Sequence, residues 1–83
     1  MIIQIRYFAS LREALGASEP VDVADGTTLG ALRDLLIARG GRHAEVLART
    51  RAVRCALNQT MSDEQAAIPA HAEVAFFPPV TGG

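Results

Sequence analysis

The stretch "TTLGALRDLLIARGG" (Thr27–Gly41) decides the fold, because it predicts the one long helix of this chain. Thr28 is a residue type that caps helix N-termini, and Gly40-Gly41 is placed to end the helix. Its apolar stripe, at helical spacing, is predicted to be Leu29, Leu32, Leu35 and Leu36. One amphipathic helix can cover only one face of a sheet, so the flanking strands should form a sheet with an open face.

Two strands and a short helix are predicted before the main helix. "IIQIRYF" (Ile2–Phe8) is rich in β-branched and aromatic residues and predicts the first strand. "SLREALG" (Ser10–Gly16) predicts a short helix that Ser10 caps, with a glutamate at capping-box spacing and a glycine at its end. Val21–Val23 predicts a second strand that ends in the Asp25-Gly26 turn, so the first two strands should form a split hairpin.

Three further strands are predicted after the main helix and a short helical turn. Ala52–Asn58 alternates between apolar and polar residues, a brief edge strand lies near Met61, and Glu73–Phe77 is the last strand. A right-handed crossover then places the first and last strands side by side in the middle of a mixed sheet. This order predicts an α+β fold of the β-grasp (ubiquitin-like) type, with a single domain at residues 1–83 and an extended C-terminal tail at 78–83.

The central strands carry large apolar groups on both of their faces. If the helix covers the face of Ile3, Ile5 and Tyr7, then Phe8, Phe77 and Met61 should lie on the open face. A contiguous exposed apolar patch of this kind predicts a protein partner. The alternative is that the loop from Ser62 to Ala70 folds over these side chains.

Composition excludes several classes of function. A net charge of −1 gives no reason to expect nucleic acid or an anionic membrane as a partner, and no apolar run approaches the length of a membrane span. The N-terminus lacks the pattern of a signal peptide, so the cytoplasm is the expected location. The single Cys55 and two isolated histidines predict neither a disulfide nor a metal site. All 8 basic residues are arginine, which excludes a P-loop and Schiff-base chemistry.

The C-terminal stretch "FFPPVTGG" (Phe76–Gly83) has the features of a segment that enters another active site. Pro78 and Pro79 end the strand and favour an extended chain, so Val80–Gly83 can reach about 13 Å at roughly 3.3 Å per residue. Gly82-Gly83 lacks side chains and fits a narrow channel. The terminal carboxyl could be activated as an acyl-adenylate by another protein that uses ATP. The alternative is an inert tail.

Four stretches together resemble the family of MoaD-type sulfur carriers, the small subunits of molybdopterin synthase. They are "YFASLREALG" (Tyr7–Gly16), "TTLGALRDLL" (Thr27–Leu36), "LNQTM" (Leu57–Met61) and "EVAFFPPVTGG" (Glu73–Gly83). The resemblance implies that a ubiquitin-activating-like adenylyltransferase uses ATP to activate the terminal glycine. A sulfur donor protein then converts the adenylate to a thiocarboxylate. The loaded tail enters the large synthase subunit and gives its sulfur to the dithiolene of molybdopterin.

The resemblance also assigns the site residues. Gly83 would carry the sulfur, and Gly82 would occupy the channel beside it. The partner-binding residues would be Phe8, Met61, Phe77, Pro78, Pro79, Val80 and Thr81. No cofactor or metal is expected on the chain itself.

One departure and two alternatives accompany this resemblance. The family usually has Gly-Asp-Glu before the last strand, whereas this chain has His71-Ala72-Glu73, which predicts a positive φ at His71 and affects only a turn. A ubiquitin-like modifier conjugated through Gly83 would use the same adenylate, as would a thiamine-type sulfur carrier. The absence of lysine argues against chains of this protein conjugated to itself.

Overall fold

The computed structural model describes residues 1–79, and in that range it contains five strands and three helices. In chain order they are β1 (Ile2–Tyr7), α1 (Ala9–Leu15), β2 (Ser18–Asp22), α2 (Leu29–Ala38), α3 (Gly41–Leu47), β3 (Arg54–Leu57), β4 (Thr60–Ser62) and β5 (Glu73–Phe77). The strands form one mixed sheet in the order β2-β1-β5-β3-β4. The predicted α+β, β-grasp class is confirmed, as is the brief edge strand at Met61.

The first and last strands lie side by side in the middle of the sheet, as predicted. They run parallel, from Gln4 opposite Glu73 to Tyr7 opposite Phe76. The remaining pairs, β1–β2, β5–β3 and β3–β4, are antiparallel. The split hairpin of β1 and β2 is therefore confirmed, although β2 begins at Ser18 rather than at Val21.

The hydrophobic core lies between one face of the sheet and the helices. Its fully buried members alternate along the central strands and recur along α2: Ile3, Ile5, Tyr7, Val74, Phe76, Leu29, Leu32 and Leu36. The rings of Tyr7 and Phe76, on adjacent strands, stack with their centroids 6.4 Å apart. Thr28 caps α2 as predicted, since its hydroxyl accepts a hydrogen bond from the Ala31 N–H at 3.1 Å.

Two predictions about helix residues are wrong. Ser10 does not cap α1, because the helix begins at Ala9 and Phe8 occupies the cap position. Phe8 is extended, with φ −127° and ψ 157°, and its N–H donates to the Phe76 carbonyl at 3.2 Å, so it continues the sheet pairing up to the first residue of the helix. Leu35 does not join the core stripe and is 49% exposed. The fourth buried residue of α2 is instead Arg33.

The Arg33 side chain joins α2 to two loops. Its Nε donates to the Leu47 carbonyl at 2.8 Å, and its Nη2 donates to the carbonyls of Ala48 and Arg51 at 2.7 and 3.0 Å. Its Nη1 makes an ion pair with Glu64 at 2.8 Å. A buried guanidinium is tolerated only when its donors find acceptors, and here both the end of α3 and the loop after β4 supply them.

The turn of the β3–β4 hairpin and the turn before β5 contain non-glycine residues with positive φ. Asn58 and Gln59, between β3 and β4, have φ values of 48° and 71°, and His71 before β5 has 61° as predicted. The Asn58 carboxamide also accepts a hydrogen bond from the Glu73 N–H at 3.0 Å. The hairpin turn is thereby attached to the start of the last strand.

A polar cluster centred on Glu19 connects β2 to the ends of two helices. The Glu19 carboxylate accepts hydrogen bonds from the Tyr7 hydroxyl at 2.9 Å and from Arg39 at 2.6 Å, and it lies 2.9 Å from His43 Nε2. Burial favours the neutral acid, but the hydrogen bonds from His43, Arg39 and Tyr7 prevail and lower the pKa of Glu19. Burial, and then the Glu19 carboxylate beside it, raise the pKa of Tyr7.

We predict that Arg33→Met lowers the free energy of unfolding by about 3–5 kcal/mol, because it removes one donor from Glu64 and one from each of three carbonyls, and within residues 1–79 only Glu64 and Ala48 keep another. Urea denaturation measures this loss. The matched control is Arg42→Met on the exposed side of α3, which should change stability by no more than about 0.5 kcal/mol. Equal effects of the two substitutions would contradict the structural role of Arg33.

A second prediction concerns acid stability. Because the pKa of Glu19 is lower in the folded chain than its usual 4.5, the ionised carboxylate stabilises the fold above that pH. This contribution is lost as the pH falls through the folded pKa. We expect Glu19→Gln to lower the free energy of unfolding by about 1–2 kcal/mol at pH 7 and to make its decline below pH 5 shallower.

Urea denaturation between pH 3 and pH 7 tests this expectation. Glu45→Gln is the matched control, because Glu45 is exposed and makes no ion pair among residues 1–79. If Glu19→Gln leaves the pH profile unchanged, the cluster does not contribute to acid stability.

Candidate functional site

The face of the sheet opposite the helices is open. The strand alternation places on it Ile2, Gln4 and Arg6 of β1, Ala75 and Phe77 of β5, Arg54 and Ala56 of β3, and Met61 of β4. Ile2 is 61% exposed and Met61 60%, and Phe8 just beyond β1 is 38% exposed. Phe77 is partly buried and lies outside the core cluster. The structure thus places Phe8, Met61 and Phe77 where the sequence predicted them.

Small residues form the floor of this face. One row across the sheet runs from Arg6 to Ala75, Ala56 and Met61 on successive strands. Ala75 and Ala56 are buried although no helix within residues 1–79 covers this side, and their side chains are smaller than those of Arg6 and Met61 at the two ends of the row. The result is a shallow apolar depression with Met61 at one end and Arg6 at the other.

The loop after β4 does not cover this depression, so the alternative raised from the sequence is wrong. The loop follows α2 instead: the carbonyls of Glu64 and Ala66 accept hydrogen bonds from Gly30 and Leu29 at 2.8 and 3.1 Å. Ile68 then packs into the core. The close approach also explains Gly30, where a Cβ would lie 3.1 Å from the Glu64 carbonyl oxygen.

The last strand ends at the edge of the open face. β5 ends at Phe77, which lies opposite Arg54 of β3, and the partly buried Pro78 and Pro79 follow. Proline has no N–H to continue the sheet, which accounts for the end of the strand. The predicted roles of Val80, Thr81, Gly82 and Gly83 fall outside the described residues.

Two arginines on the open face were not predicted as functional residues. The Arg6 guanidinium lies 5.4 Å from the centre of the Phe8 ring, and its Nη1 is 4.0 Å from Glu73 Oε1. Arg54 lies beside Phe77 and is exposed. The alternation along β3 is compatible with an outward Arg54, but only the strand register places Arg54 opposite Phe77, at the same end of the face as Arg6 and Phe8.

The remaining reactive side chains have structural partners. The Cys55 thiol donates to the Ser62 carbonyl at 3.3 Å, and burial raises its pKa, which disfavours the reactive thiolate. Within residues 1–79, no cluster of three histidine, cysteine, aspartate or glutamate residues could hold a metal ion. The helices in the same range are too short and too polar to cross a membrane.

Sequence comparison identifies the family to which this fold and this tail belong. The model that describes the ThiS family matches residues 5–83. The chain belongs to the ThiS family. Two relatives are named molybdopterin synthase sulfur carrier subunit, and both align over 82 residues, which cover 99% of this chain and 100% of the relative. The one from Escherichia coli strain K12 is 38% identical and the one from Haemophilus influenzae 34%. The resemblance noted from the sequence is confirmed.

Solved structures show the same fold. The crystal structure of SAMP1 from Haloferax volcanii superposes with a TM-score of 0.78 at 27% identity, with full coverage of both chains. A chain from the complex of subunits 1 and 2 of the molybdopterin-converting factor of Helicobacter pylori 26695 gives 0.70 at 23% identity, again with full coverage of both. The second likeness supports the fold alone, whereas the first adds a recognisable sequence relationship.

Proposed function

We propose that this chain is a sulfur carrier and acts as the small subunit of a molybdopterin synthase. The observation that carries the proposal is the alignment over the full length of two sulfur carrier subunits. An open apolar sheet face, beside the point where the tail leaves the fold, supports it. The chain would contribute a docking surface on the open sheet face and a reactive C-terminal carboxyl group.

The chemistry would take place at Gly83. Its carboxylate would attack the α-phosphorus of ATP, release pyrophosphate and form an acyl-adenylate. Hydrosulfide supplied by a sulfur donor protein would then attack the glycyl carbonyl, expel AMP and lose its proton, which leaves a thiocarboxylate. That sulfur would pass to the dithiolene of molybdopterin in the large subunit, and water would take its place at the carbonyl to restore the Gly83 carboxylate. ATP would be bound by the adenylating enzyme, and this chain would hold no cofactor.

The proposal names three protein partners. The large synthase subunit is supported by the two-subunit molybdopterin-converting factor complex of H. pylori, one chain of which shares this fold. A ubiquitin-activating-like adenylyltransferase and a sulfur donor protein follow from the chemistry at Gly83. We place these reactions in the cytoplasm, and neither nucleic acid nor a membrane has a part in them.

A second candidate function is protein modification through the same terminal glycine. It is favoured by the 27% identity and full-length superposition with SAMP1, a protein whose structures include one described as small archaeal modifier protein 1. Both functions begin with the adenylate and differ in the nucleophile that follows. Mass spectrometry after incubation with the adenylating enzyme, ATP and a sulfur source separates them. A thiocarboxylate supports the carrier, and an isopeptide adduct on a second protein supports the modifier.

We predict that Phe77→Asp weakens binding of the large subunit while the chain remains folded. Phe77 lies outside the core, so circular dichroism should be unchanged, but loss of an aromatic anchor from an interface typically costs about 2–4 kcal/mol. Titration calorimetry measures the affinity. Leu35→Asp is the matched control, because Leu35 is an exposed apolar residue on the helical side. A substitution at Phe77 that unfolds the chain would show that this side chain supports the core.

We also predict that deletion of Gly83 abolishes sulfur transfer and leaves folding and docking intact. The reacting carbonyl would move by about one residue, roughly 3.3 Å, and a misplacement of about 1 Å can already cost about 100-fold in rate. Gly82→Val keeps the carbonyl in register but adds a branched side chain that should obstruct a narrow channel. Single-turnover assays with preloaded carrier distinguish the two variants. Normal sulfur transfer by the Gly83 deletion would contradict the proposed function.

A further inference from the structure

The open face carries positive charge at the end where β5 stops. Arg6 and Arg54 lie there, on either side of β5, and the apolar side chains of Phe8 and Phe77 lie between and beside them. Asp22 lies at the other end of the face, opposite Ile2 on the edge strand. The net charge of the chain is only −1, so the local arrangement rather than the total charge would guide a charged partner.

Neither arginine makes a close ion pair with residues 1–79. The contact of Arg6 with Glu73 is at 4.0 Å, and both side chains are more than one third exposed, so this ion pair contributes little. No carboxylate oxygen within residues 1–79 lies within 4.0 Å of Arg54. Three arginines of the helical side, in contrast, form close ion pairs with acidic residues: Arg33, Arg39 and Arg49.

The absence of a close ion pair does not by itself mark these two residues, because Arg42 on α3 makes no ion pair in the described part of the chain either. Their position distinguishes them. Arg54 is opposite Phe77 across β3 and β5, and Arg6 stacks over the Phe8 ring. A guanidinium held against an aromatic face loses part of its freedom before it meets a carboxylate, which lowers the entropic cost of pairing.

The strand register gives the spacing of the two charges. Two strand intervals separate β1 from β3, which is about 10 Å, and the offset along the strands is two residues, about 7 Å. Ala75 and Phe77 of β5 lie between these charges, and Ala56 adjoins Ala75 on β3. A complementary surface therefore needs an apolar side chain to enter the depression and carboxylates on two sides of it.

We propose that Arg6 and Arg54 select a partner surface on which acidic side chains flank an apolar one. This inference rests on the proposed function, since it takes that partner to be the large subunit of a molybdopterin synthase. Apolar contact at Phe8, Phe77 and Met61 supplies most of the affinity. The two arginines accelerate association and fix how the two proteins are aligned in the complex, as charges at the rim of an interface generally do.

The test is stopped-flow association of the full chain with the large synthase subunit encoded in the same genome, at 50 and 500 mM salt. The variants are Arg6→Glu/Arg54→Glu and the milder Arg6→Gln/Arg54→Gln, with folding verified by circular dichroism. We expect the charge reversal to slow association at low salt by about 10- to 100-fold and the neutral pair by less. At high salt the difference should shrink to within about threefold, because the Debye length is then only a few ångströms and the charges no longer attract a distant partner.

Arg42→Glu/Arg12→Glu is the matched control, because it changes the net charge by the same amount on the helices instead of the open face. It should leave the association rate within about twofold of the unaltered chain at both salt concentrations. If the control slows association as much as the open-face pair, or if neither pair has an effect, the inference is wrong and the proposed function stands. If the unaltered chain does not bind the large subunit at all, the proposed function fails as well.

Discussion

The parallel pairing of β1 with β5 is the constraint on which the rest of the structure depends. Parallel strands cannot be joined by a tight turn, so the chain between them has to cross over the sheet. The helices are on one side, where they bury the core face of both strands. The other face therefore remains open. The same pairing brings the end of β5 beside the start of α1, which is why Phe8 and Phe77 both lie at the end of the sheet where β5 stops.

Sequence pattern predicted the elements that follow from local periodicity, and it failed where distant segments decide a position. At about 100° per residue, Arg33 is only about 40° from Leu29 around the helix axis, whereas Leu35 is about 120° away. Helical geometry alone therefore favours the observed arrangement, but the charge of Arg33 argues against burial. Its burial depends on acceptors at Leu47, Ala48, Arg51 and Glu64, and nothing in the local sequence shows that they converge there.

The same distinction between local pattern and distant contacts applies to the candidate site. Strand alternation is sufficient to place Phe77 and Met61 on the open face, because side-chain direction follows directly from a period of two. It could not show that the loop after β4 turns toward α2, since that choice depends on backbone hydrogen bonds to Leu29 and Gly30. It also could not pair Arg54 with Phe77, because register between strands is set by turns and by packing. The open depression was thus predictable as a hypothesis, and its charged rim was not.

The two faces of the sheet separate stability from recognition. On the core side, ionisable groups such as Tyr7, Glu19 and Arg33 form hydrogen bonds within the fold and stabilise it. On the open side, Phe77 and Arg54 lie outside the core, so we expect substitutions there to act mainly on partner binding. A carrier needs this separation, because it has to bind before and after its terminal group is loaded. If docking depends on the sheet face and chemistry on the last residues, the terminal group can gain or lose its sulfur while the docking surface stays the same.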